Sequence, residues 1–160
     1  MYFPKASISL NIAETTFVIS AIKTFVKKGG KEYQISDEFS SSLFLLANDC
    51  KSMWSEDDWE VYRYMYHLKD FSQKWKVDRN EIFTISILDC DAIMLALQFA
   101  YVVESKQAIH GDESAEKRAE SIKDVLLPRF GNMFSKNEWN FYFSEVDSYE
   151  DDTIEMRAID

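Results

Sequence analysis

The chain has 160 residues, 46% hydrophobic and 15% aromatic, with four Gly, two Pro and a formal charge of −10 at pH 7. This length suits a single domain spanning residues 1–160, and the scarcity of Gly and Pro excludes a disordered or loop-dominated chain. Residues 1–80 carry 11 basic and 11 acidic side chains, whereas residues 81–160 carry 7 and 17, so the net charge lies in the second half and excludes direct nucleic-acid binding there.

The start, "MYFPKASISL", lacks a charged segment followed by a long apolar one, so no secretory leader is expected. A short extended stretch near residues 6–10 runs into Asn11 and Glu14, which have the spacing of a capping box. The helix it opens turns Val18, Ala21, Ile22 and Phe25 inward. Gly29-Gly30-Lys31 reads as its C-cap, since the other residues of a phosphate-binding loop are missing. Ser36 caps a second helix with Phe39, Leu43, Leu46, Ala47 and Cys50 on one face. After a cap at Ser55 and Asp58, Val61, Tyr64, Leu68, Phe71 and Trp75 predict the apolar stripe of a third helix. Glu60, Arg63, His67, Asp70 and Lys74 form its polar side, and "KVDRNE" (Lys76–Glu81) leads onward.

The second half begins with another extended stretch near 82–86 and a weaker cap at Ser86 and Asp89. Ile93, Ala96, Leu97 and Ala100 then predict a buried helix. Its apolar run, Ala92 to Val103, is too short to span a bilayer, so no membrane partner is expected. A long loop is expected at 105–114, around "KQAIHGDES". Ala115, Ala119, Ile122 and Leu126 predict the next helix, which Pro128 stops or kinks. Ser135 and Glu138 form a capping box. Beyond it, either a shortened helix precedes a final strand or residues 138–159 form a β-hairpin; the cap favours the helix.

The halves resemble one another. "MWSEDDWEVY" (Met53–Tyr62) matches "MFSKNEWNFY" (Met133–Tyr142) at a shift of 80, and Ile8–Ile22 matches Phe83–Leu97 at a shift of 75. The expected fold is mainly α: two degenerate tandem helical repeats, approximately 8–76 and 82–150, packed as one globular unit, with an acidic segment at 145–160. Residues 12–62 should superpose on 87–142.

Catalytic and ligand signatures are sparse. His67 reads as a solvated side chain and His110 as part of a turn with Gly111 and Asp112. Cys50 and Cys90 stand far apart, so a reducing, cytoplasmic setting is expected, and acids beside Cys90 disfavour a reactive thiolate. Adjacent acids such as Asp89/Asp91 read as solvated helix ends rather than metal or hydrolase sites. Lys69, Lys74, Lys76 and Arg79 read as a solvated helix end. No catalytic residue, metal or cofactor is expected.

The functional expectation is a non-enzymatic binder whose acidic second half docks on a basic protein surface, that of a nucleic-acid-handling protein. An inhibitor of the phage anti-defence or toxin-immunity type would use this logic. The residues expected on display are Glu145, Asp147, Glu150, Asp151, Asp152 and Glu155, continued by Asp112, Glu113 and Glu116. The alternative is a helical adaptor that binds a partner in an apolar groove between the repeats.

Overall fold

The computed structural model describes residues 3–29, 33–68 and 79–146, the side chains of 65–68 excepted. Strand β1 (Lys5–Asn11) pairs antiparallel with β2 (Asn80–Ser86). Both strands alternate with period 2: Ile8, Leu10, Phe83 and Ile85 are buried, while Ser7, Ser9, Ile82 and Thr84 face outward. The Ser7 and Thr84 hydroxyls lie 2.7 Å apart on that outer face. In this register Ile8 stands opposite Phe83, the two residues that head the 75-residue correspondence. The extended stretches expected near 6–10 and 82–86 therefore form, and each is the other's partner.

Each strand runs directly into a helix through its cap residue. Asn11 accepts the Glu14 N–H and the Glu14 carboxylate accepts the Asn11 N–H, opening α1 (Ile12–Thr24). Ser86 accepts the Asp89 N–H and opens α2 (Ile87–Ile109). Helix α1 continues into a π-helical turn, Phe25–Gly29. Gly29 is needed there, because a Cβ would stand 2.7 Å from the Phe25 ring.

Ser36 caps α3 (Asp37–Lys51), and Ser55 caps α4 (Glu56–Leu68) with a reciprocal bond from its N–H to Asp58. In the second half α5 (Glu113–Ser121) passes through a π-helical turn (Ile122–Leu126) into α6 (Leu127–Gly131), and α7 (Lys136–Val146) follows. In order, β1, α1, α3 and α4 are followed by β2, α2, the α5–α6 run and α7.

Helix α2 is central. Ile87, Cys90, Ile93, Ala96 and Leu97 are fully shielded, and Leu95, Phe99 and Ala100 nearly so. A helix apolar on most sides can only sit inside. The expected inward faces of α1, α3 and α5 hold as well, with Phe39 packed at the edge of the core. The main core draws on β1, α1, α3, β2, α2 and the helices after it; Ile12, Trp54 and Trp59 form a smaller cluster.

Several expectations need correction. The long loop at 105–114 is absent: α2 stays helical to Ile109, and residues 110–112 make the turn, with Gly111 at φ 97°. The extra length of the second half thus goes into helix, 23 residues in α2 against 13 in α1 plus five in its π-turn. Pro128 does not stop its helix. The π-turn before it widens the backbone, the Leu127 N–H reaching back to Ile122, and this accommodates a residue that cannot donate. Tyr64 is 66% exposed, and the shielded edge of α4 runs through Asp58, Trp59 and Tyr62 instead. Residues 138–146 belong to a helix, which removes the hairpin reading there. Phe71 and Trp75, like residues 147–160, lie outside the described residues.

Candidate functional site

The acids expected on display divide into three sets. Asp112, Glu113 and Glu116 come together at the start of α5. Asp112 is the cap, accepting the Ala115 N–H at 3.1 Å, and its other oxygen lies 3.9 Å from Arg118. Glu113 and Glu116 are exposed in the first helical turn, where the helix dipole favours them. Glu145 sits half-buried near the end of α7, on a different element. Asp147, Glu150, Asp151, Asp152 and Glu155 lie outside the described residues.

The paired aromatic segments are built alike and serve structure. Trp59 Nε1 donates to the Lys51 carbonyl at 2.9 Å, and Trp139 Nε1 donates to the Gly131 carbonyl at 2.8 Å. Each indole thereby caps the last residue of the preceding helix, eight positions back, satisfying a carbonyl that helix geometry leaves open. Trp59 meets Tyr62 edge-on at 6.4 Å, and Trp139 meets Tyr142 edge-on at 6.0 Å. Trp54 donates to the buried Thr15 hydroxyl, and the Tyr142 hydroxyl donates to buried Asp91 at 2.7 Å.

Cations of the chain are engaged in ways the sequence hid. Arg79 pairs with Asp58 at 3.1 Å and Glu81 at 2.6 Å and lies over the Trp54 ring, so it is held within the fold. Arg129 bridges the Glu14 carboxylate and the Ser9 carbonyl, tying α6 to the junction of β1 and α1. At the corresponding junction of β2 and α2, burial raises the Asp89 carboxyl above its ordinary range, and the charge of Asp49 adds to the rise. The two junctions thus differ: the guanidinium of Arg129 pairs with Glu14 at one, whereas at the other burial outweighs the Ser86 hydrogen bond and the charge of Lys5, which act to lower Asp89.

Both cysteines are buried and unpaired with each other. Burial pushes the Cys50 thiol up to about 12, with Asp49 adding to it. Cys90 is raised further by burial and by Asp91 and Asp89, and its thiol donates to the Phe130 carbonyl. Neither is an activated nucleophile. His110 is an exposed helix cap, and the His67 side chain lies outside the description. Among the described residues no three His, Cys, Asp or Glu side chains group as a metal site, and no helix is long and apolar enough to cross a membrane.

One feature escaped the sequence reading. A cavity of about 160 Å³ opens between α1 and the α2–α5 pair, walled by Phe17, Ala21, Ala100, Val103 and Ile122. The Glu104–Arg118 ion pair, at 2.8 Å, also lines it. Ser20 and Thr24 separate it from a shallower hollow of about 380 Å³ bordered by Thr16, Lys23, Lys27 and Lys28. Only the lysine spacing at the end of α1 could have signalled it.

Comparisons with protein-family models, with curated proteins and with solved structures give no match for this chain.

Proposed function

We propose that this protein is a non-enzymatic binder that docks its acidic second half on a basic surface of a protein partner, one that handles nucleic acid. The observation that carries the reading is the charge division, neutral over residues 1–80 and −10 over 81–160, with Glu113 and Glu116 exposed together at one helix start. Such a surface raises encounter rates with cationic partners and suits the occlusion of a phosphate-binding groove. The shielded thiols fit a role without a nucleophile. We take the setting to be the cytoplasm, where such thiols stay reduced.

The reading includes an architectural part: the chain is a duplicated β-α-α-α unit. Its support is the shared element order, the identical burial alternation of β1 and β2, the two indoles capping carbonyls eight residues back, and Ile8 standing opposite Phe83. A two-fold axis through that central pair would carry each strand onto the other.

The experiment is affinity capture of a partner, followed by association kinetics across a salt series. Replacing Glu150, Asp151, Asp152 and Glu155 by Asn or Gln should slow association by roughly tenfold at low salt and flatten its salt dependence. An unchanged on-rate in a folded variant would refute docking through these acids. The second reading is a helical adaptor with an apolar groove between the halves, and the cavity between α1 and the α2–α5 pair favours it. Binding there would resist salt.

A further inference from the structure

The lysine-edged hollow and the apolar cavity share Ser20 and Thr24 as a common wall, so they are two parts of one surface. Lys23, Lys27 and Lys28 are exposed, and none makes an ion pair among the described residues. The helix dipole accounts for cations at the end of α1. It does not account for a hole beside them. The hole compares in size with a cavity of about 150 Å³ that admits benzene, so one aliphatic side chain fits. We propose that this surface, whose lysines belong to the neutral first half and whose cavity lies between α1 and the α2–α5 pair, receives an extended acidic segment of a partner protein, anchored by one aliphatic side chain.

The geometry sets the form of that segment. Lys23 and Lys27 stand about one helical turn apart, roughly 6 Å along the axis. Acids at alternate positions of an extended chain are spaced by roughly 6.6 Å, so two of them meet the two ammonium groups. Ser20, about a turn before Lys23, opens onto the cavity, so the anchor follows within a residue or two of the acids. Thr24 and Ser20 hydroxyls offer donors to the backbone between. A nucleic acid fits less well, because the cavity has the size of one aliphatic side chain rather than of a stack of bases.

This inference rests on the groove reading and adds the chemistry of the occupant. The test uses the full chain and a fluorescent synthetic peptide of alternating Glu and Gly around a central Leu, read by anisotropy. Matched peptides carry Lys for Glu, or Ser for Leu, and an oligothymidylate is the nucleic-acid probe. The Glu peptide should bind, and Lys23→Glu with Lys27→Glu should weaken it about tenfold, equivalent to about 1.4 kcal/mol. Ser20→Phe, made at an exposed position so that folding is kept, should plug the cavity and abolish the advantage of Leu over Ser. If the Lys peptide binds equally and Ser20→Phe still blocks it, the acidic assignment falls while the groove reading survives. If no peptide responds to Ser20→Phe, both fall. Lysine-dependent binding of the oligothymidylate without the Glu peptide would overturn the proposal.

Discussion

Leu97 provides a direct test of the claim that α2 is the centre of the fold. Its side chain is fully shielded, and it shares the core with Ile93, Ala96, Val18, Ile22 and residues of α3. Leu97→Ala removes three carbon groups, each contributing about 0.8 kcal/mol when buried, so the transfer loss alone is about 2.4 kcal/mol. A cavity adds to this, because neighbours from both halves hold the walls and cannot collapse fully; large-to-small changes of this kind cost about 2–5 kcal/mol in all. For a chain of this length the thermal midpoint should fall by roughly 5–20 °C. Leu45→Ala, at a position 64% exposed on α3, is the control and should shift stability by less than about 0.5 kcal/mol. Urea unfolding followed by tryptophan fluorescence gives both values. If Leu97→Ala costs no more than the Leu45 control, α2 is not the core helix and the packing argument fails.

Three further outcomes concern ionisable groups. With its thiol at about 12, Cys50 has about one molecule in ten thousand ionised at pH 8, so neither cysteine should react with a disulfide reagent until the protein unfolds, and prompt native labelling would contradict the burial. Asp89 has a folded pKa above its unfolded value, so the native state holds that proton more tightly and its ionisation opposes folding. The stability of Asp89→Asn relative to the parent should therefore rise as pH climbs through and beyond the ordinary Asp range of about 3.9, and vanish below it; a urea-midpoint series showing the opposite trend would refute the assignment. Asp49→Asn should move the Asp89 titration toward lower pH, as read by NMR.

The local features were legible because the interactions that make them span only a few residues. Asn11 with Glu14, Ser36 with Phe39, and Ser135 with Glu138 are caps whose partners lie three positions apart. The inward faces of α1, α2, α3 and α5 follow from helical period alone, because an apolar stripe must be buried. The same logic misled at Tyr64, where an aromatic in step with the stripe faces solvent and Tyr62 packs toward Trp59. It also assigned loop to residues that α2 keeps helical, since polar residues such as Lys106 and Gln107 suit an exposed helix as well as a turn.

Only the tertiary structure decided the rest. Arg129 finds Glu14 and Ser9 across more than a hundred positions, and no periodicity marks the pair. The register that sets Ile8 against Phe83 depends on how two distant strands meet, which an alternating pattern allows at any even shift. The π-helical turns arise where the chain must fit Phe25 against Gly29 or carry Pro128, which local propensity does not specify. The groove beside Lys23 exists because small residues of α1 and α2, Ala21 and Ala100, are brought opposite one another with Ile122 and Phe17. Each of these residues separately is an ordinary helix position; the cavity is a property of the gap between helices, and the sequence holds no pattern for a gap.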